Sequence, residues 1–261
     1  MHGKESFMTE DLQRASIWKR VSAYIFDMIL LGILAVGLAA VLSFLLGYDS
    51  YYEDMNAVRE KYETEYGVEI YITESEKLAM SEEDQRTWEE ANRAFSYDKD
   101  AVYAYNMIIN LTLIILTFSI LAAYVIMEII VPLIFRNGQT LGKKIFGIAL
   151  MRTDGVKITN FALVVRTLLG KFTIETMVPV LILIMILLGS MGIMGVVVTG
   201  LLLLLQLIVI ASTRTRSAIH DLLAATVVVD MASQRIFDSY EAMLEYKKRI
   251  HQEEVAKKEY R

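Results

Sequence analysis

Three long apolar runs divide the chain, and the charged residues lie between them. The first, 21–46, is 26 residues long. A helix needs about 20 apolar residues to cross about 30 Å of hydrocarbon, whereas a cleaved signal peptide carries only about 7–15. The pattern therefore predicts a membrane span, and the second run, 105–135, predicts another. The third run covers 172–211. As a single helix it would reach about 60 Å, twice the thickness of the bilayer core. Gly189-Ser190-Met191-Gly192 lies near its middle and can turn, so the run reads as a helical hairpin over 173–211, with spans at 173–189 and 192–211.

The basic residues set an orientation, because loops rich in Lys and Arg stay in the cytoplasm. Residues 136–171 carry seven of them and the longer segment 47–104 only six; Lys19 and Arg20 precede the first span, and Arg214 and Arg216 follow the fourth. The expectation is a multi-pass protein of the cell membrane. Its cytoplasmic parts are the N-terminus (1–20), segment 136–172 and the tail (212–261), and 47–104 lies outside.

Segment 47–104 holds 16 acidic residues against six basic ones. Thr73-Glu74-Ser75-Glu76 fits a capping box, and Ser81-Glu82-Glu83-Asp84 resembles one. Tyr52, Met55, Val58 and Tyr62 recur at helical spacing, as do Trp88, Ala91 and Phe95. The segment thus reads as an extracellular cap of two or three helices, the first ending at Gly67. Its acidity serves either as an electronegative vestibule or simply as a solvated surface. In segment 136–172, Leu141, Ile145, Ile148 and Ala149 interleave with Lys143 and Lys144, which predicts a short interfacial amphipathic helix. Asp154-Gly155 between 148–152 and 156–158 predicts a β-hairpin, to which 226–230 could add a third strand. Thr159 or Asn160 can cap a helix over 160–171, with Arg166 and Lys171 toward lipid headgroups. Residues 232–260 read as a tail helix. The fold class is an all-α polytopic membrane protein: four transmembrane helices, a small extracellular helical cap and a minor cytoplasmic β-hairpin.

The composition narrows function further. Hydrophobic residues make up 55% of the chain, mean hydropathy is +0.42 and the net charge is −5. This excludes an ordinary soluble domain, a nucleic-acid binder and a disordered chain. There is no cysteine, and the three histidines, His2, His220 and His251, have no metal-ligand spacing. No nucleotide loop, HExxH or GxSxG motif occurs, so neither an enzyme nor a cofactor is expected.

The candidate chemistry is the charge inside the spans. An ionisable group in hydrocarbon costs several kcal/mol unless it is paired or hydrated, about 2.5–3.5 for Asp on insertion scales. Asp27 and Glu128 share a depth in the cytoplasmic half, and Arg20, Tyr24 and Asp27 line one helix face at i, i+4 and i+7. Pro132 frees the carbonyl of residue 128 by lacking an N–H, and Tyr124 adds a hydroxyl one turn earlier. One reading is a site for a cation or proton. The other is a static charge network, in which Arg20, Arg166, Arg214 or Arg216 neutralises Asp27. Glu175 reads as interfacial. His220-Asp221 reads either as a mutually orienting pair with a readily protonated histidine, or as an aspartate that pairs with arginine.

Arg20, Asp27, the segment from Gly138-Gln139-Thr140-Leu141-Gly142-Lys143-Lys144 to Ile148, the Asp154-Gly155 turn, Arg166, and Arg216-Ser217-Ala218-Ile219-His220-Asp221 resemble the RDD family of bacterial membrane proteins. That family is named for one arginine and two aspartates, to which Arg20, Asp27 and Asp221 correspond by position. The resemblance covers 14–46 and 105–230; the 58-residue acidic insertion exceeds the family's usual short connection. It implies transport, with cation/proton exchange in some members. Two functions are therefore expected to compete. One is a transporter of a small ion or solute in the lipid bilayer, working as a homo-oligomer. The other is a non-transporting adaptor that holds a partner membrane protein through its cap or tail.

Overall fold

The computed structural model describes residues 13–213 and 216–259, so His2 and Arg214 lie outside the described residues. In chain order the helices are α1 (Ile17–Leu46), α2 (Tyr48–Tyr66), α3 (Glu74–Ala79), α4 (Glu82–Tyr97), α5 (Lys99–Phe135), α6 (Leu141–Ile145), α7 (Asn160–Leu187), α8 (Gly192–Ser212), α9 (Ile219–Leu223) and α10 (Tyr240–Glu259). The strands β1 (Ile148–Arg152) and β2 (Thr226–Asp230) form one two-stranded antiparallel sheet. α1, α5, α7 and α8 are long and apolar enough to cross a membrane. Their large side chains face outward, as Ile193 at 79% and Leu187 at 77% exposure illustrate. Water would penalise such a surface, whereas hydrocarbon does not. The fold is an all-α polytopic membrane protein.

The chain forms two compact units, with α1 and α5 contributing to both. The unit 35–119 contains α2, α3 and α4, and its core gathers Ile70, Phe95 and Ala101 with Met55, Val58 and Tyr62 packed against them. Both capping patterns operate. Thr73 and Glu76 satisfy each other's backbone N–H, and Ser81 accepts from Asp84 N. Trp88 Nε1 donates to the Ile70 carbonyl at 3.1 Å. Tyr62 donates to Asp98, which also caps the start of α5 by accepting from Asp100 N and Ala101 N.

The other unit, 13–34 with 120–259, holds the sheet, α6 to α10 and the adjoining parts of α1 and α5. Four expectations are corrected here. The hairpin does not form as predicted: β1 pairs with β2, Ile148 opposite Asp230 through Arg152 opposite Thr226, and 156–158 contributes only isolated bridges. The turn at Asp154-Gly155 is present, but the chain must enter α7 at its Thr159 cap, leaving little length to pair. β2, with its three consecutive valines, offers a better apolar partner, and Val227 and Val229 are fully buried with Met151. The third span does not start at 173. It continues the 160–171 helix as a single α7, because a π-helical stretch, Arg166–Met177, carries the backbone through. The interfacial helix shrinks to α6; Ile148 and Ala149 are buried in β1 instead. The tail helix begins at Tyr240, since Phe237 is held by a bridge to Val156. The α7–α8 hairpin turns with Gly189 and Gly192 at positive φ, a conformation that costs glycine nothing.

Candidate functional site

Asp27 is a buried cap. Its Oδ1 accepts from Gly142 N at 2.8 Å, and its Oδ2 accepts from the Thr140 hydroxyl. Thr140 Oγ1 in turn accepts from Lys143 N and so caps α6 itself. The Gln-Thr-Leu-Gly-Lys-Lys segment therefore folds onto α1 by way of one carboxylate. Gly142 is required for the approach: a Cβ there would lie 2.4 Å from the Ala23 carbonyl oxygen. Among the described residues no cation comes within 4 Å of Asp27, so the arginine lock expected there is not its environment.

Glu128 carries the ion pairs instead. It sits in a π-helical stretch of α5, Val125–Ile130, and meets cations from two other helices. Lys171 Nζ donates to its Oε1, Arg166 Nη1 is 3.5 Å from its Oε2 and Lys143 Nζ 3.9 Å from the same oxygen. Its carbonyl, which Pro132 was expected to leave open for a cation or water, accepts from the Thr167 hydroxyl at 3.2 Å. Protein donors thus reach both oxygens of Asp27 and Oε1 of Glu128, while Glu128 Oε2 has cations nearby but no hydrogen bond.

The π geometry of α7 aligns its charges. Five residues along an α-helix turn the chain through about 140° beyond a full turn, which would put Arg166 and Lys171 on different faces. Hydrogen bonds of the i→i+5 type widen the turn and bring Arg166, Lys171 and Glu175 to one side. All three were expected at the interface, yet Arg166 and Lys171 are buried and Glu175 points inward.

Asp221 on α9 completes the network. Arg166 Nε donates to its Oδ1 at 2.9 Å, Thr226 Oγ1 donates to the same atom at 3.1 Å, and Arg20 Nη2 lies 3.9 Å from Oδ2. Asp221 is therefore the arginine-paired aspartate, but its partners are Arg166 and Arg20; Arg214 lies outside the described residues. His220 is oriented mainly by Glu175, which accepts from its backbone N at 3.1 Å and sits 2.7 Å from Nδ1; Nε2 is 3.6 Å from Asp221. α9 presses so closely on α7 that a Cβ at Gly170 would lie 2.4 Å from His220 Cβ.

These groups line one cavity of about 600 Å³. Tyr124 borders it, its hydroxyl 2.8 Å from that of Thr176. Tyr24 also borders it but is 54% exposed, and the exposed Arg216 stands at its edge with φ 49°. The sequence reading missed Lys143, Lys171, Thr140 and Gln206. Gln206 left a signal as an isolated amide among the leucines of α8, and Thr140 and Lys143 lie in the segment that carries the family resemblance.

The electrostatics follow from burial. It is the largest influence on Lys143 and pushes its ammonium down to about 8, against the pull of Glu128. Burial also opposes ionisation of Asp221, but Arg166, His220 and Arg20 outweigh it and hold the carboxyl well below the usual range. His220 is lowered, first by burial; Asp221 and Glu175 oppose this, while Arg166 and Lys171 add to it. The expected ready protonation is thus reversed, because the ring is buried beside fixed cations. A histidine with a lowered pKa in the folded state takes up its proton more readily when unfolded. Its contribution to stability is present above about 6.5 and is lost as pH falls below that value. The unfolding temperature of the detergent-purified protein should fall between pH 7 and 5, and His220→Gln should flatten that slope. An unchanged slope in the variant would contradict the assignment.

Searches of curated proteins and of solved structures find no match to the chain. The model of the RDD family matches residues 14–225, which takes in Arg20, Asp27, Glu128, Arg166 and Asp221. The chain belongs to the RDD family.

Proposed function

We propose that the protein is a non-enzymatic membrane transporter of a small ion or solute, and that the charged cavity is where the solute is held. The observation that carries this reading is the cavity wall. Five basic side chains and four carboxylates border about 600 Å³ of space, most of them on helices of membrane-crossing length. A charge lock alone would need no space beside it, and an adaptor has no use for ionisable groups around a cavity. The reading includes the orientation set by the basic residues, with both termini cytoplasmic and 47–104 outside, and assembly as a homo-oligomer in the cell membrane, since four spans make a thin pathway for one protomer.

The test is flux into proteoliposomes of the purified chain under an imposed pH gradient, screened over small cations, anions and neutral solutes. Asp27→Asn keeps an oxygen for Gly142 N while removing the charge, so the variant should fold, and flux should fall at least tenfold. No flux of any solute in the wild type, or undiminished flux in Asp27→Asn, overturns the reading.

A further inference from the structure

Three polar atoms around Glu128 are buried without a hydrogen bond: Glu128 Oε2, Lys143 Nζ and Arg166 Nη1. Buried charged groups normally fill their hydrogen-bonding capacity, and an ammonium has three donors to fill. Lys143 is only 6% exposed and is among the residues that border the cavity, yet the nearest carboxylate oxygen to its Nζ is 3.9 Å away. Its backbone cannot withdraw it, because α6 is fixed to Asp27 through Gly142 and Thr140. Around the cavity the cations Arg20, Lys143, Arg166, Lys171 and Arg216 outnumber the four carboxylates, and the buried, lowered His220 adds no charge near neutral pH. At Glu128 three cations meet one carboxylate, although Arg166 is shared with Asp221. The unpartnered donors of Lys143 and Arg166 thus lie in a region of excess positive charge.

Other lining residues differ. Val21, Met28 and Leu31 of α1 and Leu203, Leu207 and Ile210 of α8 add an apolar portion to the lining, beside Arg20 and Asp27 of α1 and Gln206 of α8. Several of these side chains also remain open to the outside, Leu207 at 64% and Val21 at 42%. The cavity therefore has both charged and apolar lining, and part of the apolar lining continues onto the exposed apolar surface of α1 and α8.

We infer that the cavity binds an anionic amphiphile from the membrane, its phosphate or carboxylate headgroup held by Lys143 Nζ and Arg166 Nη1 and its tail laid along α1 and α8. The inference deepens the transport reading by naming the class of solute, and rests on it for the passage but not for the binding. A headgroup oxygen at Lys143 supplies the missing acceptor, and charge-assisted bonds of this kind are the strong ones. An aliphatic tail against α1 and α8 needs no polar partner.

The experiment uses the full chain purified in a neutral detergent. Short-chain phosphatidylglycerol, short-chain phosphatidylcholine and inorganic phosphate are each titrated, and bound lipid is counted by native mass spectrometry alongside the unfolding temperature. Phosphatidylglycerol should bind and stabilise, phosphatidylcholine should do so at least tenfold more weakly, and Lys143→Met should lower phosphatidylglycerol affinity at least tenfold while Lys143→Arg restores most of it. Should Lys143→Met not fold, Leu207→Trp fills the apolar wall and should weaken the lipid at least tenfold without altering any response to phosphate. Stabilisation by inorganic phosphate equal to that by the lipid would make the occupant a free anion and overturn the amphiphile. Equal binding of the two lipids, or no Lys143 dependence, would overturn the headgroup assignment, and no binding of any probe would leave water as the occupant. Lys143-dependent lipid binding without flux removes the transport reading and keeps this one; cation flux without anion binding does the reverse.

Discussion

Replacing Arg166 by methionine is expected to lower stability by about 3–5 kcal/mol, the cost of leaving a buried ion partner uncompensated. Arg166 is almost fully buried and serves two carboxylates at once, Asp221 at 2.9 Å and Glu128 at 3.5 Å. Methionine fills much of the same volume, so the loss reports charge and hydrogen bonding rather than a hole. Asp221 would keep Arg20 at 3.9 Å, His220 Nε2 at 3.6 Å and the Thr226 hydroxyl, and Glu128 would keep its two lysines. Thermal or denaturant unfolding in detergent measures the effect. Arg166→Lys should recover only part of it, since one ammonium cannot reproduce a guanidinium reaching two acids. Adding Asp221→Asn to Arg166→Met should cost less than the sum of the single changes, because the two residues share one interaction. A loss below about 1 kcal/mol for Arg166→Met would mean that water substitutes for the arginine.

Gly170→Ala should be comparably damaging for a steric reason. The new Cβ would sit 2.4 Å from His220 Cβ and 2.6 Å from His220 Cα, and a backbone atom cannot swing aside as a side-chain tip can. Overpacking of this kind costs about 1–3 kcal/mol, and more where the backbone must shift. Here α9 would have to move off α7, which separates His220 from Glu175 and Asp221 from Arg166. Gly142→Ala tests the same logic on the other side of the cavity, where the clash is with the Ala23 carbonyl oxygen and the Asp27 carboxylate. Both variants should unfold at clearly lower temperature than the wild type. By contrast Gly32→Ala, with nothing within 4 Å of the new Cβ, should change little. Equal behaviour of all three would show that these close approaches are not rigid.

Much of the architecture could be read from the chain alone, because a helix crossing hydrocarbon needs a length of apolar sequence that nothing else in a protein needs. Runs at 21–46, 105–135 and 172–211 with one glycine-rich break became α1, α5, α7 and α8. Caps were equally legible at Thr73, Ser81 and Thr159, since each acts on N–H groups only three residues ahead. The unusual cost of carboxylates within apolar runs singled out Asp27 and Glu128, and both line the cavity.

What pairs with what was not legible. Asp27 was expected to meet a cation and instead holds the backbone of Gly142, 115 residues away; Glu128 was expected to be open and is enclosed by Lys171, Lys143 and Arg166. Two physical causes account for this. A π-helical stretch rotates the faces of α7, so an α-helical projection of Arg166, Lys171 and Glu175 sends them to the wrong side. Strand pairing and ion pairing depend on through-space distance, and β1 chose β2 over its sequence neighbour because three valines bury better than Val156-Lys157-Ile158. The sequence by itself determined the spans, their caps and the presence of costly charge within them, all set by local composition and spacing. The tertiary structure alone decided which charges neutralise one another and which, like Lys143, are left without a hydrogen bond, because that choice depends on how separate helices meet.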